Sequence, residues 1–268
     1  MKVFYLAQTT LSGLIRNKIL IVFILLFVGI ILLMLTPLLT MKALKGANEV
    51  KEARSLLSSM LVGVFFLAND FGAMLAIFAS ASAVSDEIKM GTILPIMAKP
   101  ITRWQFLLGK YVGTQLLLLI YTLTLLGFAY ALTWLLGEKI YSSPLIIGGY
   151  LFVKYMLYSA LALFLSIFMN AYVAAGLIVL FIITADSALR LLSLIPYHAI
   201  AQLKNFLYYL LPSTNLFDVS RFIVVTYESI ETVPRTHHLT VLAYGLDYTT
   251  IIILLAIAVF HKRHIVAS

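Results

Sequence analysis

The chain has 268 residues, 62% of them hydrophobic and only 11% charged, with a formal net charge of +8 and no cysteine. Soluble folds carry about half apolar and a quarter charged residues, so a mean hydropathy of +1.04 indicates one membrane domain coated by lipid instead of water. Disulfides, thiolate metal sites and cysteine nucleophiles are excluded, and basic residues scattered among apolar runs suit anionic lipid headgroups and not nucleic acid.

Residues 1 to 18 place Val3, Phe4, Leu6, Ala7, Leu11, Leu14 and Ile15 at intervals of three to four, which gives a helix one apolar face. Such a helix lies flat at the interface, or it is an upstream extension of the first span. Ile19 to Leu39 carries no charge over about 21 positions, enough to cross a bilayer. It is too long for a signal-peptide core and no small-residue cleavage site follows, so it is read as retained. Further spans are expected over about 58–84, 106–136, 146–168, 171–192 and 240–260, the first covering about 19–41, within a single domain over 1–268. Only Met169 and Asn170 separate the fourth from the fifth, which predicts an antiparallel hairpin.

The fold class is therefore an all-α membrane protein with six transmembrane helices. Arg16, Lys18, Lys89, Lys99, Arg103, Lys110, Lys262 and Arg263 flank spans on the side of the termini, against Lys42, Lys45, Lys51 and Arg54 interspersed with Glu49 and Glu52. That balance puts both termini in the cytoplasm. Between about 193 and 239, Ile200, Leu203, Phe206, Leu207, Leu210 and Leu211 repeat at helical spacing, which predicts an extracytoplasmic helix dipping into the outer leaflet, ended by Pro212.

Several ionisable residues fall inside spans. Asp70, beside Asn69, lies near the middle of the second run, where a carboxylate costs about 2.5 to 3.5 kcal/mol. It lines a conduit, or it makes an interhelical hydrogen bond. Asp186 and Arg190 are four apart and can pair on one helix face. Lys154 can snorkel outward, and Asp247 can answer Lys154 or Arg190 across the bundle.

Residues 85 to 105 form the one sizeable cytoplasmic loop. Gly91, Pro95 and Pro100 break a helix that leaves the membrane, and Thr102 with Gln105 has capping-box spacing for the next helix. Trp104 is expected at headgroup level. Ile93, Leu94, Ile96 and Met97 form an apolar cluster framed by Asp86, Glu87, Lys89, Lys99 and Arg103. Such a knob with a charged rim fits a partner's groove, or it packs back on the bilayer.

Asp86-Glu87 through Gly91-Thr92, then Lys99-Pro100-Ile101-Thr102-Arg103, then Phe106-Leu107-Leu108-Gly109-Lys110 resembles the signature loop of ABC type-2 permeases. The six-span layout, the amphipathic N-terminus and Leu211-Pro212-Ser213-Thr214-Asn215 are similar too. The resemblance implies an exporter-like permease whose loop carries a coupling helix docking on a separate ATPase. It places Glu87, Lys89, Gly91, Thr92, Leu94 and Arg103 at that contact, with Asp86, Ile93, Ile96 and Met97 completing the surface. It also implies two ATPase copies and a second permease chain.

No catalytic machinery is legible. Gly109-Lys110 fails as a phosphate loop, because Tyr111 follows and Trp104 stands where the upstream glycine belongs. ATP and magnesium are thus expected on the partner, and no cofactor in this chain. No H-E-x-x-H pair is present, and His237, His238, His261 and His264 at membrane edges are weak metal candidates. The alternative class is a secondary transporter or a membrane-anchor subunit, although no internal repeat supports the former.

Overall fold

Long apolar runs without internal proline leave the backbone one way to satisfy its polar groups in lipid, the helix. A computed structural model describes residues 2–18, 21–25, 27–29, 32, 49–89, 101–135, 143–193, 217 and 235–262. Its elements, in order, are α1 (Lys2–Ile15), α2 (Glu49–Lys89), α3 (Arg103–Leu135), α4 (Ser143–Ser166), α5 (Ala171–Ser193) and α6 (Arg235–Lys262). No strand occurs among the described residues. Asn69–Ile88, Arg103–Ala131, Leu145–Ser166 and Leu239–Lys262 are each long and apolar enough to cross a membrane, and Ala171–Thr184 is a shorter apolar stretch. The chain is an all-α integral membrane protein. Most of the expected first span lies outside the described residues, as does all but Phe217 and the start of α6 in the expected outer loop.

Helix boundaries follow local chemistry. α2 begins at Glu49, well before the expected start near 58, because Glu49, Lys51, Glu52, Ala53 and Arg54 are good helix formers that extend the apolar run. Its 41 residues make a rod of about 60 Å, twice the thickness of a hydrocarbon core. At the start of α3 the Gln105 Oε1 accepts the Thr102 N–H at 3.2 Å, one half of the expected capping box. α1 ends at Arg16 and Asn17, and a new helical turn opens with Ile21 N–H donating to the Asn17 carbonyl at 3.0 Å. It is therefore separate from the helical residues that follow and is not an extension of them.

α4 is the hub, packed against α2, α3, α5 and α6. Tyr155 and Tyr158 on it are fully buried, with Leu151 and Leu163. α2, α4 and α5 pack on one another, and their buried faces are rich in small side chains. Ala76, Ala79, Ser80 and Ala83 share one face of α2 and are buried, as are Ser159, Ala160 and Ala162 of α4 and Ala171, Ala174 and Ala175 of α5. Small residues let helix backbones approach closely in a membrane. Phe27, from the stretch after α1, reaches this core through Tyr121 of α3, ring centroids 4.9 Å apart.

Candidate functional site

The end of the bundle that carries residues 85 to 110 gathers five helices. Ser85, on the last turns of α2, accepts the Ala171 N–H through its hydroxyl oxygen at 3.0 Å, satisfying one of the donors that the start of α5 leaves without a helical partner. Two residues on, the Glu87 carboxylate pairs with Lys110 of α3, with only 20% and 9% of the two side chains exposed. Lys110 Nζ also lies 5.7 Å from the Phe106 ring centroid. Arg103 Nη1 donates to the backbone carbonyls of His261 at 2.8 Å and Phe260 at 3.3 Å. Those carbonyls end α6, where helix acceptors are unsatisfied and a cation suits the dipole. Phe106 and Phe260 stack beside it at 6.0 Å.

α1 lies along this same start of α3, burying Leu6, Ala7, Thr10 and Leu14 while Phe4 and Ile15 stay exposed. The approach depends on two glycines four apart. A Cβ on Gly109 would meet the Leu6 Cβ at 2.5 Å, and one on Gly113 would meet the Thr10 Cβ at 2.6 Å and the Ala7 carbonyl at 2.8 Å. This G-x-x-x-G spacing passes unremarked in a reading aimed at phosphate loops, although it was visible in the sequence.

Of the residues assigned to a partner contact, Asp86 and Glu87 lie half-buried at the end of α2, Lys89 closes that helix, and Arg103 opens α3. Glu87 and Arg103 are engaged with other helices of the bundle. Gly91, Thr92, Ile93, Leu94, Ile96 and Met97 lie outside the described residues.

Within the membrane, Lys154 of α4 does not snorkel outward. Its Nζ donates to Asn69 Oδ1 at 2.9 Å and lies 5.7 Å from the Tyr158 ring centroid. Asn69 in turn donates to Asp70 Oδ1 at 3.0 Å, so a polar chain runs from α4 to an Asp70 side chain exposed on the single chain. Asp247 is exposed on α6, and Asp186 and Arg190 fall on α5 beyond its described side chains. Sequence reading also missed a seam around Ser159, whose carbonyl accepts Ser80 Oγ at 2.6 Å and whose hydroxyl accepts Gln115 Nε2 at 2.6 Å. Serine and glutamine in an apolar run carry no sign of which helices face each other.

The family model described as "ABC-2 family transporter protein" matches residues 6–265, essentially the whole chain. The chain belongs to the ABC-2 transporter family. This makes it the membrane-embedded permease component of an ABC transporter and not the ATPase. No curated protein matches its sequence.

For a permease, the arrangement of Arg103 has a mechanical meaning, since the residue that leads out of the 90–100 segment grips the end of α6. Arg103→Ala leaves two carbonyls without that donor, which costs about 1.5 to 3 kcal/mol for bonds to a charged group. Faster deuterium uptake at the last turn of α6 is the expected outcome, with α5 unchanged. A rim charge reaching only toward solvent would leave α6 exchange as it was, and that result would contradict the grip.

Proposed function

We propose that this ABC-2 permease is exporter-like and forms a translocation pathway with a second permease chain. It works in a bacterial or archaeal inner membrane, with six spans and both termini cytoplasmic. Residues 85 to 105 carry the coupling helix, and two copies of a separate ATPase supply ATP, magnesium and the hydrolysis step. The observation that carries this reading is the bracing of the segment on both sides. Ser85 and Glu87 at its entry join α5 and α3, and Arg103 at its exit joins α6. A displacement of the segment by a closing partner therefore reaches four helices at once. Asn69 and Asp70 suit the pathway or the seam with the second chain, because an exposed carboxylate within a span calls for a polar or protein neighbour.

The test uses the apolar cluster at Ile93, Leu94, Ile96 and Met97. Truncating a buried interface anchor costs about 2 kcal/mol or more, and Leu94→Asp adds the desolvation of a carboxylate. The variant is expected to insert at normal levels yet lose the ATPase on purification, measured by pull-down at matched permease abundance. Full retention would show that the segment is not the docking element.

A further inference from the structure

Beside the Glu87–Lys110 pair, α1 and the ends of α2 and α3 enclose a cleft of about 300 Å³, lined by polar groups of both signs. Its hydroxyls are committed as donors. Thr9 and Thr10 both give their protons to the Leu6 carbonyl, at 2.9 and 2.7 Å, and Ser82 gives its proton to the Ala79 carbonyl at 3.2 Å. Their oxygens keep lone pairs as acceptors, and the Asp86 and Glu87 carboxylates line the cleft with them. Arg16, the Asn17 amide and Lys110, whose ammonium is paired with Glu87, line it too. Arg16 has no hydrogen-bond or ion-pair partner among the described residues.

The cleft thus offers an acceptor wall to a group that only donates, and a guanidinium to an anion. An ammonium joined to a phosphate meets both demands. The space also fits, since 300 Å³ equals about ten water volumes, against about eight non-hydrogen atoms in phosphoethanolamine. Arg16, Lys18 and the 46%-exposed Trp104 are the residue types that mark headgroup level, and they lie at this end of the bundle. We propose that the cleft holds the phosphoethanolamine headgroup of a membrane phospholipid, the phosphate on Arg16 and Asn17 and the ammonium on Asp86 and the hydroxyl oxygens. This binding does not depend on the coupling role of the neighbouring segment. A choline headgroup has no N–H and loses the hydrogen bonds to the acceptor wall. An anionic glycerol headgroup has no cation to place there.

The purified full chain in detergent, offered equal amounts of phosphatidylethanolamine, phosphatidylcholine and phosphatidylglycerol of matched acyl chains, is gel-filtered and its retained lipid measured by mass spectrometry. Phosphatidylethanolamine is expected to be retained about tenfold over phosphatidylcholine, the worth of a charged hydrogen bond. Arg16→Ala should lower its retention by a similar factor, while Asp86→Asn should erase the preference between ethanolamine and choline. Equal retention of the three lipids by the native chain, or a preference for phosphatidylglycerol, would overturn the proposal without recourse to any variant. Displacement of the lipid by free phosphoethanolamine at comparable concentration would also overturn it, by assigning the cleft to a soluble ligand.

Discussion

Lys110→Met is expected to destabilise the permease by about 3 kcal/mol, the low end of the range for breaking a buried ion pair, because Glu87 keeps 20% of its side chain exposed. The loss comes from the Glu87 carboxylate left without its cation between α2 and α3, more than from the attraction itself. Pairing Lys110→Met with Glu87→Met removes both charges and should restore most of the stability, since well-packed apolar replacements are commonly neutral or better. Unfolding of the purified chain in mixed micelles, followed by helix signal, compares both variants with the parent. If the double variant is as unstable as Lys110→Met alone, the buried charge is not the cause. The double variant has a further use. Should it fold yet uncouple ATP hydrolysis from transport, the pair acts as a strut at the entry to the 90–100 segment in addition to its part in packing.

Gly113→Leu is expected to lift α1 from α3. The first added carbon would stand 2.6 Å from the Thr10 Cβ and 2.8 Å from the Ala7 carbonyl, and a backbone carbonyl inside a helix cannot swing aside. Overpacking costs about 1 to 3 kcal/mol, and the upper end applies because Leu6, Ala7 and Leu14 lose their cover together. The chain has no cysteine, so Ala7→Cys provides a clean reporter at a fully buried position. Maleimide should label it slowly in the parent and quickly with Gly113→Leu. Gly127→Leu is the control, as nothing stands within 4 Å of a Cβ there. Equal labelling in all three backgrounds would mean that α1 is not held by this contact.

How far the sequence reached depends on what each signal encodes. Apolar runs report burial in lipid, so α3, α4 and α5 start and end within a few residues of where the runs do. Capping chemistry is local, and Thr102 with Gln105 was legible for that reason. Glu49 to Arg54 misled because polarity reads as a connection, whereas helix propensity in a segment leaving the membrane decides its conformation. Neighbour relations were out of reach. Lys154 looks like a snorkelling residue until α4 is placed beside α2 and Asn69 comes within reach. Glu87 and Arg103 were assigned to a partner contact by the resemblance of the loop to a family signature, which says nothing of their neighbours within the bundle. Their engagement with Lys110 and with the end of α6 depends on three helices converging, which no local pattern records.

The alanine and serine seam between α2, α4 and α5 has a consequence for how the permease responds to temperature. Lipid tails are as apolar as leucine, so closing this seam releases little water-ordered surface, and its strength comes from close backbone contact and bonds such as Ser80 to Ser159. The heat-capacity change that makes soluble cores loosen on cooling is correspondingly small. Cold should therefore leave the grip of α2 on its neighbours nearly intact. Acyl-chain composition sets it instead, because the alternative to alanine on alanine is alanine against a lipid tail, and a stiffer or more disordered tail changes the terms of that exchange.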